Sequence, residues 1–521
     1  MPRLRVFAAC TAGLFRLVTA AQQNDVPLNR DVYSGIDRNG ALAGSTMHTG
    51  LRPLIRSRAE LDGVLGYATD SSRQYYWITA KLLKEHLVKV SDGDFTLTVD
   101  PVFNFEAGKE FREGTDYAEE HILQHNERGF LVQADLGPTV SFQSTFYENQ
   151  ATLSGYLYDY AQVHGVVPGQ GRIKTFNERG LDFAWAAGNV SWTPRPWINA
   201  QLGQGRQFVG NGWRSMLLSD NTAPYPFLKL SALTHDKRLQ YSVTYAKLRM
   251  VGVENRLPTG EAGESLFGWK RATFTHASIN LGPLQLGLFE GTQWQAVDSS
   301  GTRPFIAEQI NPLIGLNTLL NSSGVESNTL TGLDVKLRMA GQWILYGQFA
   351  LSGQEGEYAW QLGAQWFDRG PLGLHVLVEY DQATPRAYTG ADAEMSWSNV
   401  NQPLASPLGT GFSEALLVAE LPVARRFRAR VELSMAQWAA ATDQGNGGRY
   451  LLPGGLDSIP PGGSQRAWAD ASLSWRMNPV TNMELAVGYR CRDLTPAPGL
   501  LNSGYLYATF RTGMFNRWYD L

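Results

Sequence analysis

From residue 95 onward, apolar and polar side chains alternate one by one through much of the chain. Leu239, Tyr241, Val243 and Tyr245 share one face of an extended segment, and Gln240, Ser242, Thr244 and Ala246 share the other. Leu333, Val335, Leu337 and Met339 oppose Asp334, Lys336 and Arg338. Leu374, Val376, Val378 and Tyr380 oppose His375, Leu377, Glu379 and Asp381. A period of two is that of a β-strand with one apolar face. A soluble sandwich alternates in the same way, so the connections must separate the two folds. Here they are short and long in turn. Gly137-Pro138, His235-Asp236-Lys237, Gly282-Pro283, Gly341-Gln342 and Asn478-Pro479 are short and carry turn chemistry. Those near 109–128, 151–179, 209–223, 297–328 and 383–410 are long, and only the one near 353–357 breaks the rhythm. Short turns at one end and long loops at the other are the asymmetry of outer-membrane barrels, and strands of roughly ten residues cross a bilayer at a tilt. The pattern predicts an all-β fold, a transmembrane antiparallel β-barrel of about eighteen strands over 94–521.

Composition removes the competitors. Charged residues make up 18% of the 521, below the roughly 25% of soluble proteins. Glycine (54) and aromatic residues (11%) are abundant, yet mean hydropathy is only -0.24, too polar for a bundle of membrane helices. A polar lumen face beside an apolar lipid face gives such an average. A net charge of -3 offers nucleic acid no electrostatic footprint.

Residues 1–21 read as a signal peptide: Arg3 and Arg5, then an apolar run, then the small Val18-Thr19-Ala20 cleavage site. Its removal leaves Cys491 alone, so the mature chain forms no internal disulfide. Residues 22–93 read as an N-terminal periplasmic, partly helical region, with a helix expected over Ser72 to Val90 and a break at Asp92-Gly93-Asp94. The inward charges of the barrel are mixed: Lys336, Arg338, Arg428, Arg430, Arg476, Arg490 and Arg492 against Asp334, Glu379, Asp381, Glu432, Asp470 and Glu484. A selective pore favours rings of one sign, so this balance predicts a blocked lumen, with Ile306 to Leu320 as a helical loop stretch that helps to fill it.

Three motifs stand out. Asn126-Glu127-Arg128-Gly129 and Asn177-Glu178-Arg179-Gly180 repeat one tetrapeptide at two expected loop-to-strand entries. They read as a shared turn device, or as a pair of arginine forks, Arg128 and Arg179, at the rim. The stretch from Gly205 to Asn221 gathers Arg206, Asn211, Trp213, Arg214, Asp220 and Asn221 in one long connection. Asn401-Gln402-Pro403, with Trp397 just before it, lies in another. Both connections follow ascending strands, so both meet above the same lumen. A flat indole face, guanidinium forks and amide partners suit a polysaccharide; the competing reading is that Asn and Gly build turns and Trp213 belongs to the interfacial aromatic girdle.

These stretches, with the exported strand-rich layout, resemble the Wzi-like capsule-assembly barrels of Gram-negative outer membranes, including gliding-motility-associated relatives. The resemblance implies an eighteen-stranded barrel with a periplasmic helical part and occluding loops. It also implies a lectin-like role in holding surface or capsular polysaccharide. Outer-membrane lipid and envelope proteins are the other partners expected; an accessory barrel of motility or secretion, or a diffusion porin, are the alternatives. No catalytic set emerges. Gly-x-Ser-x-Gly is absent, and His121 and His125 do not form His-Glu-x-x-His. A non-enzymatic protein without metal or cofactor is expected.

Overall fold

The computed structural model describes residues 23–42, 44–62, 64, 75–251, 267–298, 301–321, 327–352, 356–391, 395–424, 426–439, 462–496 and 501–521. The expected signal peptide lies outside the described residues. Eighteen antiparallel strands close into one barrel. They are β1 (Phe95–Glu110), β2 (Leu123–Leu136), β3 (Val140–Thr152), β4 (Gly180–Arg195), β5 (Ile198–Gly205) and β6 (Tyr225–Leu233). Then come β7 (Leu239–Val251), β8 (Phe267–Leu281), β9 (Leu284–Gln295), β10 (Asn328–Met339), β11 (Trp343–Ser352) and β12 (Tyr358–Phe367). Last are β13 (His375–Ala383), β14 (Phe412–Ala424), β15 (Phe427–Trp438), β16 (Ser464–Asn478), β17 (Met483–Thr495) and β18 (Ser503–Thr512). Each pairs with its neighbour in sequence. Strand β18 shuts the cylinder against β1, from Tyr505↔Glu110 to Arg511↔Asn104. The expected class and strand number are those observed, and the alternation faces as read: Asp334 and Lys336 are buried, Leu333 and Met339 exposed.

The N-terminal region carries a helix, as expected, though its first one lies ahead of the stretch the spacing pointed to. Its first helix, α1 (Arg30–Gly40), sits inside the barrel mouth at the short-turn end. Asn29 caps it, its side chain accepting from the N–H groups of Asp31 and Val32 at 3.0 and 3.3 Å. Asp31 then meets Arg428, Arg430 and Arg476 of the wall at 2.5, 2.8 and 3.2 Å. Burial alone would raise the Asp31 carboxyl, but the three guanidinium groups outweigh it and hold the carboxyl far below its ordinary value. Of the helix expected over Ser72 to Val90, residues 72–74 lie outside the described residues, and among the rest α2 (Trp77–Leu83) is helical. Val88–Asp92 is instead a strand paired with β1, Val88↔Val99 through Asp92↔Phe95, turning at Gly93 with φ 54°. Two valines and a tight Gly turn favour a hairpin where an edge of β1 lies open below β18.

Three further segments enter the lumen from the long-loop end or cross it. They are 206–224, 395–411 and α3 (Gly155–His164) with its flanks. The segment 513–521 also runs up the lumen: Arg492 of β17 donates to the Leu521 carbonyl at 3.0 Å, and Tyr156 donates to that of Tyr519 at 2.8 Å. Together they make an apolar core inside the barrel, with Leu217, Tyr388, Trp397, Leu404, Phe274 and Phe289 among its members. Each such side chain, fully buried, contributes roughly 1.5–3 kcal/mol.

Candidate functional site

The stretch Gly205 to Asn221 folds inward. Phe208-Val209 pairs with Leu51-Arg52 of the N-terminal segment, so the two plugs meet as a small sheet. Gly210 and Gly212 let this backbone touch the wall: a Cβ at Gly210 would strike the Gln348 amide, and one at Gly212 the Glu379 carboxylate. With Gly212 in place, Glu379 accepts from the N–H groups of Trp213 and Arg214 at 2.7 and 2.9 Å. Arg214 is 0% exposed. It grips Glu414 with two donors at 2.9 and 2.8 Å and pairs with Asp520 at 2.8 Å. Burial would raise the Asp520 carboxyl, but Arg214, Arg30 and Arg466 bring it below its ordinary value.

The other predicted residues of this stretch are likewise enclosed. Asn211 donates to Asp334 at 3.1 Å and accepts from Thr49 at 2.5 Å. Trp213 lies between two guanidinium groups, Arg30 at 3.9 Å and Arg430 at 4.9 Å from the ring centre. Arg206 stacks on Trp185 at 4.4 Å and donates to the Gly169 carbonyl. Asp220 accepts from Asn516 at 2.9 Å, and burial raises its carboxyl against the pull of Arg30 and Arg206. Asn221 donates to the Pro403 carbonyl at 3.0 Å.

The second motif packs on the first, so the two do meet over the lumen. Ser398-Asn399 and Gln402-Pro403 form a two-residue hairpin, with Val400 and Asn401 at φ 50° and 56°. Trp397, 1% exposed, donates from its indole to the Leu217 carbonyl at 3.0 Å. Asn401 exchanges contacts with His164, and Gln402 accepts from the Gly169 N–H at 2.6 Å. These amides glue plug to plug. Both stretches, expected to present aromatic faces and forks to the outside, are enclosed here and bond to one another and to the wall.

The two copies of the repeated tetrapeptide do different things. Asn126 to Gly129 lies within β2, not at a loop entry. Glu127 faces in and accepts from Arg517 at 2.8 Å, while Arg128 faces out and is exposed. Asn177 to Gly180 does make a turn, with Asn177 at φ 50°. Arg179 there pairs with Glu113 and donates to the Leu153 carbonyl at 3.0 Å.

Arg179 leads to a cluster that the sequence reading missed. Its guanidinium lies 5.1 Å from the Tyr117 ring and 5.2 Å from the Tyr158 ring, both only partly buried. Tyr117 stacks on the exposed His121 ring at 4.3 Å. Asp159 stands beside them, its carboxyl raised by burial and opposed by Arg179. The group sits at the long-loop end, with two half-open aromatic faces, a cation between them and a carboxyl at the edge. Tyr117 and Tyr158 lie in different loops, and no spacing in the sequence connects them.

No family model matches this sequence, and no curated protein matches it. Solved structures match by shape. One is Wzi, an outer membrane protein involved in group 1 capsule assembly in Escherichia coli and a carbohydrate-binding β-barrel. It is 12% identical with a TM-score of 0.55, and the match covers 93% of this chain and 99% of that one. The fold is Wzi-like. Pseudomonas aeruginosa OprD (10% identity, TM-score 0.44, 83% of this chain and 96% of that one) shares less of the arrangement. So does a BenF-like porin from Pseudomonas fluorescens (8%, 0.45, 80% and 98%). Within the Wzi-like barrel, the two histidines of the weak metal motif are apart in role. His121 is exposed on Tyr117, while His125 is buried and meets Asn149 at 2.9 Å. Among the described residues no group of three or more metal-ligating side chains forms.

Proposed function

We propose that this protein is a non-catalytic outer-membrane barrel, exported by a cleaved signal peptide, that holds surface or capsular polysaccharide at its long-loop end. One observation carries the reading: the barrel's inward charges are spent on its own plug segments. Arg214, Glu414, Arg466 and Asp520 pair with one another in the lumen, as do Asp31, Arg428 and Arg476. A wall so engaged is poorly suited to conduct solutes, which leaves the outer rim as the working surface. The carbohydrate binding stated for Wzi agrees with this assignment. At the rim, Tyr117 and Tyr158 offer the ring faces on which sugars stack, Asp159 offers a partner for hydroxyl groups, and Arg179, buried against Glu113, holds the two rings from beneath. The buried residues Arg206, Trp213, Arg214 and Trp397 then shape the platform from beneath.

The test is glycan-array binding by purified protein, beside the Tyr117→Ala plus Tyr158→Ala double variant. Wild type should bind a cell-surface glycan, and the folded double variant should lose at least tenfold in affinity. No binding by wild type, together with a protein partner retained in detergent, would favour an accessory barrel. Binding untouched by the double variant would move the site elsewhere on the rim.

A further inference from the structure

The stretch Ile306 to Leu320 contains the expected helix, α4 (Leu316–Asn321), but it does not fill the lumen. It lies on the outer wall. The register proves the side: Glu290, Thr292 and Trp294 fall on the same face of β9 as the exposed Leu286 and Leu288. Opposite them stand Thr275, Thr273 and Arg271 of β8, and Thr331 of β10 faces Glu290. This is a polar strip on the lipid-facing side of the barrel, where a carboxylate is costly. Yet Glu290 is 2% exposed.

Segment 303–321 covers it. Glu290 accepts from the Thr318 N–H at 3.0 Å and from its hydroxyl at 2.6 Å, and that hydroxyl also meets Thr331 at 2.6 Å. Thr273 donates to the Gln309 carbonyl at 2.6 Å, and Tyr245 to that of Ile310 at 2.9 Å. Tyr241 donates to the Pro312 carbonyl. Arg271 reaches the carbonyls of Arg303 and Pro304 at 3.0 and 3.2 Å. Two polar side chains of the segment, Gln309 and Asn317, turn to the wall and are buried, and Arg303, Glu308 and Asn311 are half-buried. The residues turned away from it are apolar: Phe305, Ile310, Leu313 (61% exposed) and Leu319 (70% exposed).

This polarity is inside out relative to a water-facing loop. Hydrocarbon does not tolerate open backbone groups, and a strap whose carbonyls are taken by the wall meets that condition. We infer that segment 303–321 is a lipid-embedded strap. It seals a polar strip of the barrel wall and presents Phe305, Ile310, Leu313 and Leu319 to acyl chains. It extends the apolar surface already formed by Leu286, Leu288 and Leu333.

Spin labels read this directly. In a Cys491→Ser background, Leu313→Cys and, separately, Leu319→Cys carry a nitroxide, with Lys237→Cys in a short turn as the aqueous control. The full chain is reconstituted in phosphatidylethanolamine and phosphatidylglycerol vesicles. At 313 and 319, collision with oxygen should exceed collision with a nickel chelate; at 237 the order should reverse. A nickel-dominated signal at both strap positions would put the strap in water and overturn the proposal. Low accessibility to both reagents would also overturn it, by showing that protein, such as a second copy, covers the strap. Neither outcome bears on glycan binding at the rim.

Discussion

Arg214 shows why a sequence motif rich in binding chemistry can serve structure instead. Its guanidinium satisfies Glu414 and Asp520 inside the barrel, and its backbone N–H feeds Glu379. Removing one partner of a buried ion pair leaves a charge without compensation, at a cost of about 3–5 kcal/mol. Arg214→Ala should therefore lower stability by about that amount, measured by chemical unfolding of the purified barrel in detergent. Trp213→Ala should cost about 3–5 kcal/mol as well, because it opens a cavity between Arg30 and Arg430. A fully stable Arg214→Ala protein would contradict the buried pairing. Arg, Trp and Asn are the residues that recognise sugars, and they are equally the residues that lock polar plugs. Composition cannot separate the two uses; only burial does.

At the level of elements, the strands were legible because a half-buried surface imposes a period of two, and Leu333 to Met339 obey it residue by residue. The plug segments were not, since a loop that folds into a polar lumen has the composition of one that faces water. The strap was half legible. Its short helix follows from Leu316 to Leu320, but its position outside the wall depends on Glu290 facing out, which reads in sequence like any strand polar residue. Hairpin Val88–Asp92 was lost because Leu83, Leu87 and Val90 keep a helical spacing into it. The N-terminal segment carries a pH-sensitive dock. His48 is held by Ser278 at 2.6 Å and by the Lys237 carbonyl at 3.0 Å, and burial pushes its imidazole down to about 4. The released segment titrates near the ordinary value of about 6.5, so between there and about 4 it takes up a proton that the docked form refuses. Docking is thus fully favoured above about pH 6.5 and weakens as pH falls through that window, by up to ~3 kcal/mol from this group. Limited proteolysis within 44–60 should accelerate over that range, and His48→Gln should remove the step. A cleavage rate that does not change between pH 7 and 4 would exclude this dock.

For the whole molecule, the lumen decides what the barrel can do. Plug segments from both sides meet in it, and a cavity of about 520 Å³ between the 46–60 stretch and the wall lies toward the short-turn end. Planar bilayers containing the protein should show no large, steady conductance. Such a conductance would shift the function toward a diffusion porin.

The pairing of Val88–Asp92 beside β1 also has a consequence for assembly. Phe103 of β1 bonds to Thr512, where β18 ends, and the hairpin begins at Val99 just below. Glu110 and Ser503, which bond across the closure, are 393 residues apart in the chain, whereas the hairpin turns in two. Local pairing of that kind forms in about 1–10 μs, long before a partner so distant can arrive. When β18 comes, a slip by four residues toward the short turns would keep every side chain on its proper face, and so would escape correction by hydrophobicity. It would also run into Val88. The hairpin is a doorstop: it limits how far the final strand can slide, and with that the shear of the finished cylinder.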